Sequence, residues 1–294
     1  MDRATYQRLY DSLVTPEDIA RIARAENLDE ELLFVIHTHR VTRDATRRYY
    51  VIKRQMPRIA REWHRGRRMI EVAREWKFPP VLTGQILLQE LNLPRKRIWS
   101  CFLDPANAPD ERLREEIREL LDNDRIYSPH GMELQRERGR RGEARLAAWL
   151  TRHGIGFRTE NDLRGKYAKT PDALLDRPII FFGQKLNWIE SKANFGDDVE
   201  LKRNLKRQLG PYTELFGEGA VVYWYGYVEG ATSPPGILLW GPEEIEGLTP
   251  QLGPLPAHAH AAHPSPGPAR GPHPARAPAD PAATPDGPSD GTPP

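Results

Sequence analysis

Apolar residues recur three or four positions apart from Tyr6 to about Asp124, a spacing that predicts an almost entirely helical region. One helix begins after the capping sequence at 15–18, where a threonine is followed by a proline and two acids. A tight turn at Asn27 separates it from a second helix predicted over 29–38. Two short helices joined by such a turn are typical of a helix-turn-helix unit.

The same kind of unit is predicted between residues 67 and 100. Pro79-Pro80 ends one apolar-faced helix. A later helix opens with three adjacent bases, Arg95, Lys96 and Arg97. A basic helix N-terminus is suited to contact the phosphates or base edges of DNA. Any small three-helix bundle produces a similar pattern, so a scaffold or partner-docking role for this half stays open.

The pattern changes to short β-prone runs in the later part of the chain. A helix predicted over 140–152 is followed by strand-like runs at 173–175, 178–182 and 186–191, a polar helix at 198–209, a β-prone run at 220–228 and an edge strand at 237–240. This order predicts an α/β or mixed-sheet domain. The fold class expected for the chain is α+β, with N-terminal all-α helix-turn-helix bundles followed by an α/β domain.

Four segments follow from these patterns. They are a first helical unit at 1–65, a second at 66–130, the α/β domain at 136–247 and a tail at 248–294. From Thr249 onward the tail holds 14 of the chain's 28 prolines, together with many alanines and glycines. Such a composition cannot bury a core, so the tail is expected to be disordered. Three of its histidines, His258, His260 and His263, are interpreted as part of that composition and not as a metal site.

Charge is distributed unevenly along a chain whose formal net charge is only +2. Between Arg40 and Lys77 there are 13 lysines and arginines against four acids. Charge concentrated in this way favours a polyanion-binding surface, with a solvated helical face as the alternative. The residues predicted to bind nucleic acid are Arg47, Arg48, Lys53, Arg54, Arg95, Lys96 and Arg97.

Several classes of protein are made improbable by the composition. No apolar run has the length of a membrane span, and the N-terminus lacks an apolar signal-peptide core, so we expect a soluble protein of the cytoplasm, with association with the nucleoid as an option. The single cysteine, Cys101, excludes an internal disulfide and a cysteine-based zinc site. Its place between Trp99 and Phe102 predicts a buried structural thiol.

The residues with the most chemical information are Asp172, in Thr170-Pro171-Asp172, and the sequence Glu190-Ser191-Lys192 that lies 18 residues further on. Side chains at i and i+2 of a strand share a face, so Glu190 and Lys192 are predicted to point the same way. Asp172, at the start of a neighbouring strand, can then join Glu190 in holding Mg²⁺ through oxygen ligands. Lys192 lies beside that metal, where it can orient or deprotonate a water molecule. This combination of groups is typical of a nuclease active site.

Glu-x-Lys is a weak pattern when taken alone, since it occurs three times in the chain. The copies at 75–77 and 200–202 lie in segments predicted to be helical, where residues two apart do not face each other. Only the copy at 190–192 lies in a β-prone run between turn residues. The alternative interpretation of that copy is a surface ion pair.

Five groups of residues carry a resemblance to a known family. They are Lys169-Thr170-Pro171-Asp172, the run Asn187–Ala193, Phe195-Gly196-Asp197, Gln208 with Tyr212 and Phe216-Gly217, and the run Val222–Gly226. In these positions the chain resembles the TPD-motif family. The similarity extends through most of residues 1–230 and is strongest from 165 to 227. The resemblance implies a helix-turn-helix half and a C-terminal domain similar to restriction-endonuclease-like PD-(D/E)xK phosphodiesterases and Holliday-junction resolvases.

The resemblance also implies roles for individual residues. Asp172 and Glu190 would be ligands of Mg²⁺ or Mn²⁺, with the backbone carbonyl of Ser191 as a third ligand. Lys192 would position the attacking water and stabilise the transition state. Gln208 would lie near the scissile phosphate, with helix capping or a hydrogen bond in the core as the alternative.

Glu143 fits the helix-borne acid that often completes such sites as a catalytic residue and metal ligand. Leu146, Ala147 and Leu150 follow it at helical spacing, which predicts that Glu143 lies on the apolar face of its helix. A carboxylate in that position needs a partner or a metal. The alternative is a salt bridge to Arg140 or Lys192 without a catalytic role.

The sequence therefore predicts a metal-dependent, resolvase-like endonuclease that hydrolyses DNA and is directed by its helical half. A DNA-binding regulator or scaffold with an inactive nuclease fold, and an RNA endonuclease, are the alternatives. The expected partner is nucleic acid, DNA in preference to RNA, and a homodimer is an option. The arginine-rich composition is typical of an archaeal or bacterial protein; a codanin-like partner and a nuclear or cytoplasmic location are expected only in a eukaryote.

Overall fold

The computed structural model of this protein describes residues 1–254 with the exception of Phe182. The predicted tail therefore lies outside the described residues from 255 onward, together with His258, His260 and His263. The helices, in chain order, are α1 Arg3–Ser12, α2 Pro16–Glu26, α3 Glu30–His64, α4 Met69–Trp76, α5 Pro80–Glu90, α6 Arg95–Leu103, α7 Glu111–Asp122, α8 Pro129–Arg152, α9 Glu160–Leu163, α10 Asp198–Asn204, α11 Gly210–Phe216 and α12 Pro242–Gly247. No helix in the described part of the chain is long and apolar enough to cross a membrane.

The strands are β1 Phe157–Arg158, β2 Ala173–Phe181, β3 Gln184–Lys192, β4 Gly219–Tyr223, β5 Ile237–Trp240 and β6 Gln251–Leu252. They form one mixed sheet in the order β1-β2-β3-β4-β5, and β6 pairs with β2. β1, β3 and β6 run antiparallel to β2, whereas the β3–β4 and β4–β5 pairs are parallel. Helices at the N-terminal end and a mixed sheet at the C-terminal end confirm the predicted α+β class.

The helix predicted over 29–38 is much longer than expected. Asp29 caps α3, which then runs without interruption for 35 residues and contains Pro57. Its buried positions continue at helical spacing past Pro57 as far as Trp63, and the helix ends shortly before Gly66, whose φ is +105°. The first predicted helix-turn-helix unit is therefore not a pair of short helices, because its second member is the longest helix described.

α3 belongs to two different hydrophobic cores. Its first turns pack with α1 and α2 in a core that also holds Phe195 and Val228 from the C-terminal half. Its later turns pack with α4 to α7 around buried residues such as Ile52 and Met56. The division between the cores thus falls inside α3, and not near residue 65, where the sequence placed a segment boundary. Cys101 is fully buried in the second core, as predicted.

The C-terminal half differs from its predicted elements at several points. α8 begins at Pro129 and not near 140, because Ser128 accepts a hydrogen bond from the Gly131 amide at 3.0 Å and the proline occupies the first turn. The run predicted over 220–228 is a strand only as far as Tyr223. Residues 251–252 pair with β2, so the fold continues past the predicted boundary at 247.

A buried ionic network joins the N-terminal helices to the α/β part. The guanidinium of Arg43 in α3 lies 2.7 Å from the carboxylate of Asp197, which caps α10, and 3.2 Å from that of Glu200 in the first turn of α10. The Asp197 and Glu200 side chains are only 3% and 2% exposed. Although burial acts to raise it, hydrogen bonds from Arg43 and Tyr6 hold the pKa of Asp197 well below its ordinary value.

Removal of Arg43 is expected to destabilise the fold strongly, because it leaves two buried carboxylates without their common partner. We predict that Arg43→Met lowers the free energy of unfolding by about 3–5 kcal/mol, the range typical of a broken buried ion pair. Arg47→Met is the matched control, since Arg47 lies one turn further along α3 with a side chain 69% exposed. Urea unfolding measures both changes; equal, small losses would show that the network does not stabilise this junction.

Candidate active site

Asp172 and Glu190 meet where β2 begins and β3 approaches its end. The antiparallel register pairs Ala173 with Ile189, which places Asp172 opposite Glu190. The Asp172 amide donates a hydrogen bond to Glu190 Oε2 at 3.2 Å, and the Ser191 amide donates one to Asp172 Oδ2 at 2.8 Å. Each carboxylate is therefore held by the backbone of the other strand. The predicted proximity of the two acids is present in the structure.

Lys192 lies on the same face of β3 as Glu190. Its Nζ donates to Glu190 Oε1 at 2.6 Å and to the side-chain oxygen of Gln208 at 2.7 Å. The Glu190 side chain is 3% exposed and that of Lys192 is 16% exposed, so this is a largely buried pair and not the surface ion pair that was the alternative. Gln208 lies between α10 and α11, and its hydrogen bond is to the lysine of the site.

Burial and mutual repulsion dominate the electrostatics of the two acids. Burial and then the nearby Asp172 raise the pKa of Glu190 to about 7, against the lowering effect of Lys192. Burial also raises the pKa of Asp172, opposed by the hydrogen bond from Ser191 and the charge of Lys192. Two adjacent buried carboxylates with raised pKa values are an environment that a cation would relieve.

Glu143 occupies a different position from the one predicted. Its side chain is exposed, although Leu146 and Leu150 of the same helix are buried as expected. Partial shielding and then the charge of Asp172 raise the pKa of its carboxyl, so it lies within electrostatic reach of the site. Arg140, an alternative ion-pair partner, instead bonds to Glu133 and Glu137. The carboxylate of Glu143 is therefore exposed and free of the apolar face.

Gly142, the residue before Glu143, is the one that packs against the sheet. A side chain there would meet the Trp224 ring at 2.7 Å and Ser191 Oγ at 3.0 Å. The Trp224 indole donates to the same Ser191 hydroxyl at 2.8 Å. This contact fixes the strand segment between Glu190 and Lys192 from the opposite face. A glycine in the middle of a helix was the available sequence signal, because such a glycine usually has a packing reason.

Tyr212 holds the segment that contains Asp172. Its hydroxyl donates to the carbonyl of Thr170 at 2.8 Å, while its ring packs edge-on against Trp188 in the core. Burial, then Glu190 and Asp172, raise the pKa of the Tyr212 phenol, which keeps it protonated and able to donate. In the sequence Tyr212 stands out only as part of the resemblance, and nothing there predicts this role.

The predicted nucleic-acid-binding residues fall into two exposed groups and one exception. Arg47, Lys53 and Arg54 are exposed on α3, and Arg95, Lys96 and Arg97 are exposed at the start of α6. Arg48 is the exception, because its guanidinium caps the C-terminal end of α4 through the carbonyls of Trp76 and Lys77. The structure thus gives Arg48 a structural contact that the charge pattern did not predict.

The donor set fits a hard divalent cation held by few protein ligands. Over residues 1–254, Phe182 aside, no three acidic, histidine or cysteine side chains converge as a ready-made metal cage. Mg²⁺ is often bound by one or two carboxylates, with waters and substrate phosphates as its other ligands. Asp172 and Glu190 supply those carboxylates, with raised pKa values that a cation would lower. The Ser191 carbonyl, within β3, stays a predicted third ligand.

Sequence comparison places the chain in a family. The family model described as "Protein of unknown function TPD sequence-motif" matches residues 109–239, which hold all five side chains predicted to be catalytic. The chain is also 33% identical over 208 residues to a Xenopus tropicalis protein, with 68% of both proteins covered. The chain belongs to the TPD-motif family, as the sequence predicted. No solved structure matches it.

The relatives carry the name CDAN1-interacting nuclease 1. Besides the Xenopus tropicalis protein, they include one from Xenopus laevis, 33% identical over 201 residues that cover 66% of this chain and 65% of the relative. The Homo sapiens protein is 33% identical over 169 residues, covering 55% of this chain and 60% of the relative. This chain thus spans about two thirds or less of these relatives. These three relatives are vertebrate proteins. The prokaryotic origin expected from the composition stays a prediction.

Cation binding at this site is predicted to stabilise the protein more at alkaline than at acidic pH. Because Glu190 is harder to ionise when folded, its contribution to stability falls as the pH rises through about 7, and a cation bound to the ionised pair reverses that loss. At a hundredfold excess over its Kd, Mg²⁺ adds about 2.7 kcal/mol. We expect a melting temperature several degrees higher at about pH 8, and little change at about pH 5.

Thermal unfolding with and without Mg²⁺ checks this expectation. Glu190→Gln removes one ligand and should abolish the shift. Asp176→Asn is the matched control, because Asp176 is a carboxylate of β2 that pairs with Arg158 at 3.4 Å, outside the site. A shift that survives in Glu190→Gln would place the cation elsewhere.

Proposed function

We propose that this protein is a metal-dependent nuclease that hydrolyses phosphodiester bonds, with DNA as the favoured substrate. The observation that carries the proposal is the joining of Asp172, Glu190 and Lys192 in one largely buried cluster at the ends of two strands. The name of the relatives, which describes them as nucleases, supports the same activity. The match to this family is partial in length, so activity, substrate and partner are proposals for this chain.

The chemistry follows from the charges in the cluster. A phosphodiester resists hydrolysis because its negative charge repels hydroxide, and a bound Mg²⁺ neutralises that charge and acidifies a water molecule. Asp172 and Glu190 would hold the cation. Lys192 keeps a positive charge next to Glu190 and directs its Nζ toward the same face, where it can orient the attacking water and stabilise charge on the phosphate. Gln208 holds that ammonium group from the other side.

Loss of either charge is expected to abolish cleavage without unfolding the protein. Asp172→Asn and Lys192→Met should slow hydrolysis by the equivalent of roughly 3–6 kcal/mol of barrier, or two to four powers of ten. Lys185→Met is the control for the lysine, since Lys185 is exposed near the start of the same strand. Single-turnover cleavage is measured on duplex, single-stranded, flap and four-way-junction DNA and on matching RNA.

The panel also separates the competing functions. Preference for DNA supports an endodeoxyribonuclease, and preference for RNA would move the assignment to an RNA endonuclease. Tight binding of the panel without cutting by the wild-type protein would contradict the proposed activity and favour a regulator or scaffold. Wild-type rates in Asp172→Asn or Lys192→Met would refute the assigned site.

The helical half is proposed to deliver the nucleic acid. Exposed arginines form a row along α3 that ends at Arg65, the residue directly after the helix. Together with Val51 they are spaced alternately four and three residues apart, so their side chains share one face: Arg47, Arg54, Arg58, Arg61 and Arg65. We call this row the arginine stripe. It extends over about 27 Å at the helical rise per residue, which suits contact with several phosphates along a strand. Arg58 is also bonded to Glu62 at 3.0 Å.

The α5–α6 pair supplies a second basic surface. The two helices are joined by a short turn in which Asn92 adopts a left-handed conformation, with φ of +61°. Arg95, Lys96 and Arg97 open α6 and are exposed there. This arrangement supports the proposed helix-turn-helix contact of the second helical unit with DNA.

Neutralising the arginine stripe is expected to weaken nucleic-acid binding and its salt dependence. Removing one phosphate-binding charge lowers the slope of log K against log salt by about 0.9, so Arg54→Gln/Arg61→Gln should lower it by roughly two. Arg21→Gln/Arg24→Gln removes the same charge from the exposed face of α2 and serves as the control. Equal slopes in the two double variants, measured by fluorescence anisotropy, would show that the stripe does not bind phosphates.

Partners other than nucleic acid have less support. The relatives' name states that they interact with CDAN1, and a codanin-like partner for this chain is a proposal founded on that name. The expected homodimer likewise stays a prediction.

A further inference from the structure

The helical segment from Asp198 to Phe216 contains one turn that is wider than an α-helical turn. Between α10 and α11, residues Leu205–Leu209 form a π turn in which the Gly210 amide bonds to the carbonyl of Leu205, five residues earlier. A π turn contains one more residue than an α turn, and such turns are frequently found at functional sites. Gln208, which bonds to Lys192, lies inside this turn.

The extra residue changes which side chain faces the sheet. In a regular α-helix, residues four positions apart lie on the same face. Gln208 would therefore point at the apolar core, as the buried Asn204 does. In the structure that place is taken by Leu209, five residues after Asn204, which is fully buried in the core with Tyr212. Gln208 is displaced to the side of the sheet-facing row and is only half-buried. In that position its side-chain oxygen accepts from Lys192 Nζ at 2.7 Å.

Gly210 and Pro211 are the local cause of the wide turn. A side chain at position 210 would lie 2.9 Å from the Leu205 carbonyl oxygen, so the close approach of that carbonyl requires glycine. Pro211 has no amide hydrogen, and its ring clashes with the carbonyl of residue 207 in a regular helix. The sequence Gly210-Pro211 thus permits the π turn and disfavours a continuous α-helix in the same place.

We propose that this π turn is a positioning device for the catalytic lysine. Gly210 and Pro211 act through Gln208, whose amide oxygen holds the ammonium group of Lys192 beside Glu190. An uninterrupted α-helix would direct Gln208 into the apolar core and leave Lys192 with Glu190 as its partner. The proposal concerns the same site as the proposed nuclease function, and its test by cleavage rates rests on that function.

Gly210→Ala tests the proposal directly. The added side chain would lie 2.9 Å from the Leu205 carbonyl oxygen, so the substitution disfavours the π turn and favours a continuous α-helix. Gln208 should then turn toward the core and no longer reach Lys192. Gly139→Ala is the matched control, because it makes the same change at a helical glycine with open space around it. We expect it to behave like the wild-type protein.

The expected result is a loss of single-turnover cleavage rate of up to about a hundredfold at unchanged substrate affinity, the scale of a misplacement of about 1 Å. The loss should equal that of Gln208→Ala, and combining Gly210→Ala with Gln208→Ala should cause no further loss. A Gly210→Ala variant that cleaves like Gly139→Ala, or losses that add in the combined variant, would overturn the proposal. If Gly210→Ala does not fold, Pro211→Ala takes its place, because it removes the ring that disfavours a continuous α-helix.

A second measurement does not depend on cleavage. Modification of Lys192 by an amine-specific reagent, followed by mass spectrometry, reports how firmly its ammonium group is held. The rate should rise to the same extent in Gly210→Ala and in Gln208→Ala, and should stay at the wild-type level in Gly139→Ala. A wild-type protein that cleaves no nucleic acid would refute the proposed function, while unequal modification rates in Gly210→Ala and Gln208→Ala would refute the positioning role.

Discussion

The carboxylate of Glu190 is almost completely removed from water, and the rest of the site is arranged around that fact. An isolated buried carboxylate is strongly unfavourable, so its oxygens need partners. Lys192 supplies one and the Asp172 amide supplies the other. The second acid, Asp172, adds repulsion that these partners offset only in part, as the raised pKa values of both acids show. A divalent cation would offset the remaining negative charge of the two acids. The same excess of negative charge would let the cluster hold the cation that phosphodiester hydrolysis requires.

Support for this cluster comes from both faces of the sheet. Trp224 and Gly142 hold Ser191 from the side of α8, whereas Tyr212 and Gln208 act from the side of α10 and α11. α10 is itself fixed to α3 through the Arg43 network. The long helix that carries the arginine stripe is thereby connected rigidly to the elements that carry the site. A nucleic acid bound along α3 would therefore lie on a surface whose position relative to β2 and β3, the strands of the candidate site, is fixed.

The sequence was informative wherever a local rule fixes geometry. Strand periodicity alone put Glu190 and Lys192 on one face, and turn spacing put Asp172 near them. Local rules failed where the structure depends on distant contacts. Arg43 and Asp197 are 154 positions apart and leave no joint signal in the sequence. The apolar spacing of α8 predicted that Glu143 faces the sheet. In the structure Gly142 faces the sheet instead, because α8 lies too close to it for a side chain at that position. The length of α3 was missed because its middle is highly charged.

Mn²⁺ occupancy and cleavage, measured on the same samples, decide whether this cluster is the catalytic centre. Electron paramagnetic resonance counts the bound Mn²⁺ while a labelled nucleic acid reports the rate. We expect one site per chain, a rate that rises in proportion to its occupancy, and loss of both in Glu190→Gln. Cleavage that proceeds without occupied Mn²⁺, or a Glu190→Gln variant that binds and cleaves like the wild-type protein, would contradict the assignment of this cluster as the catalytic centre.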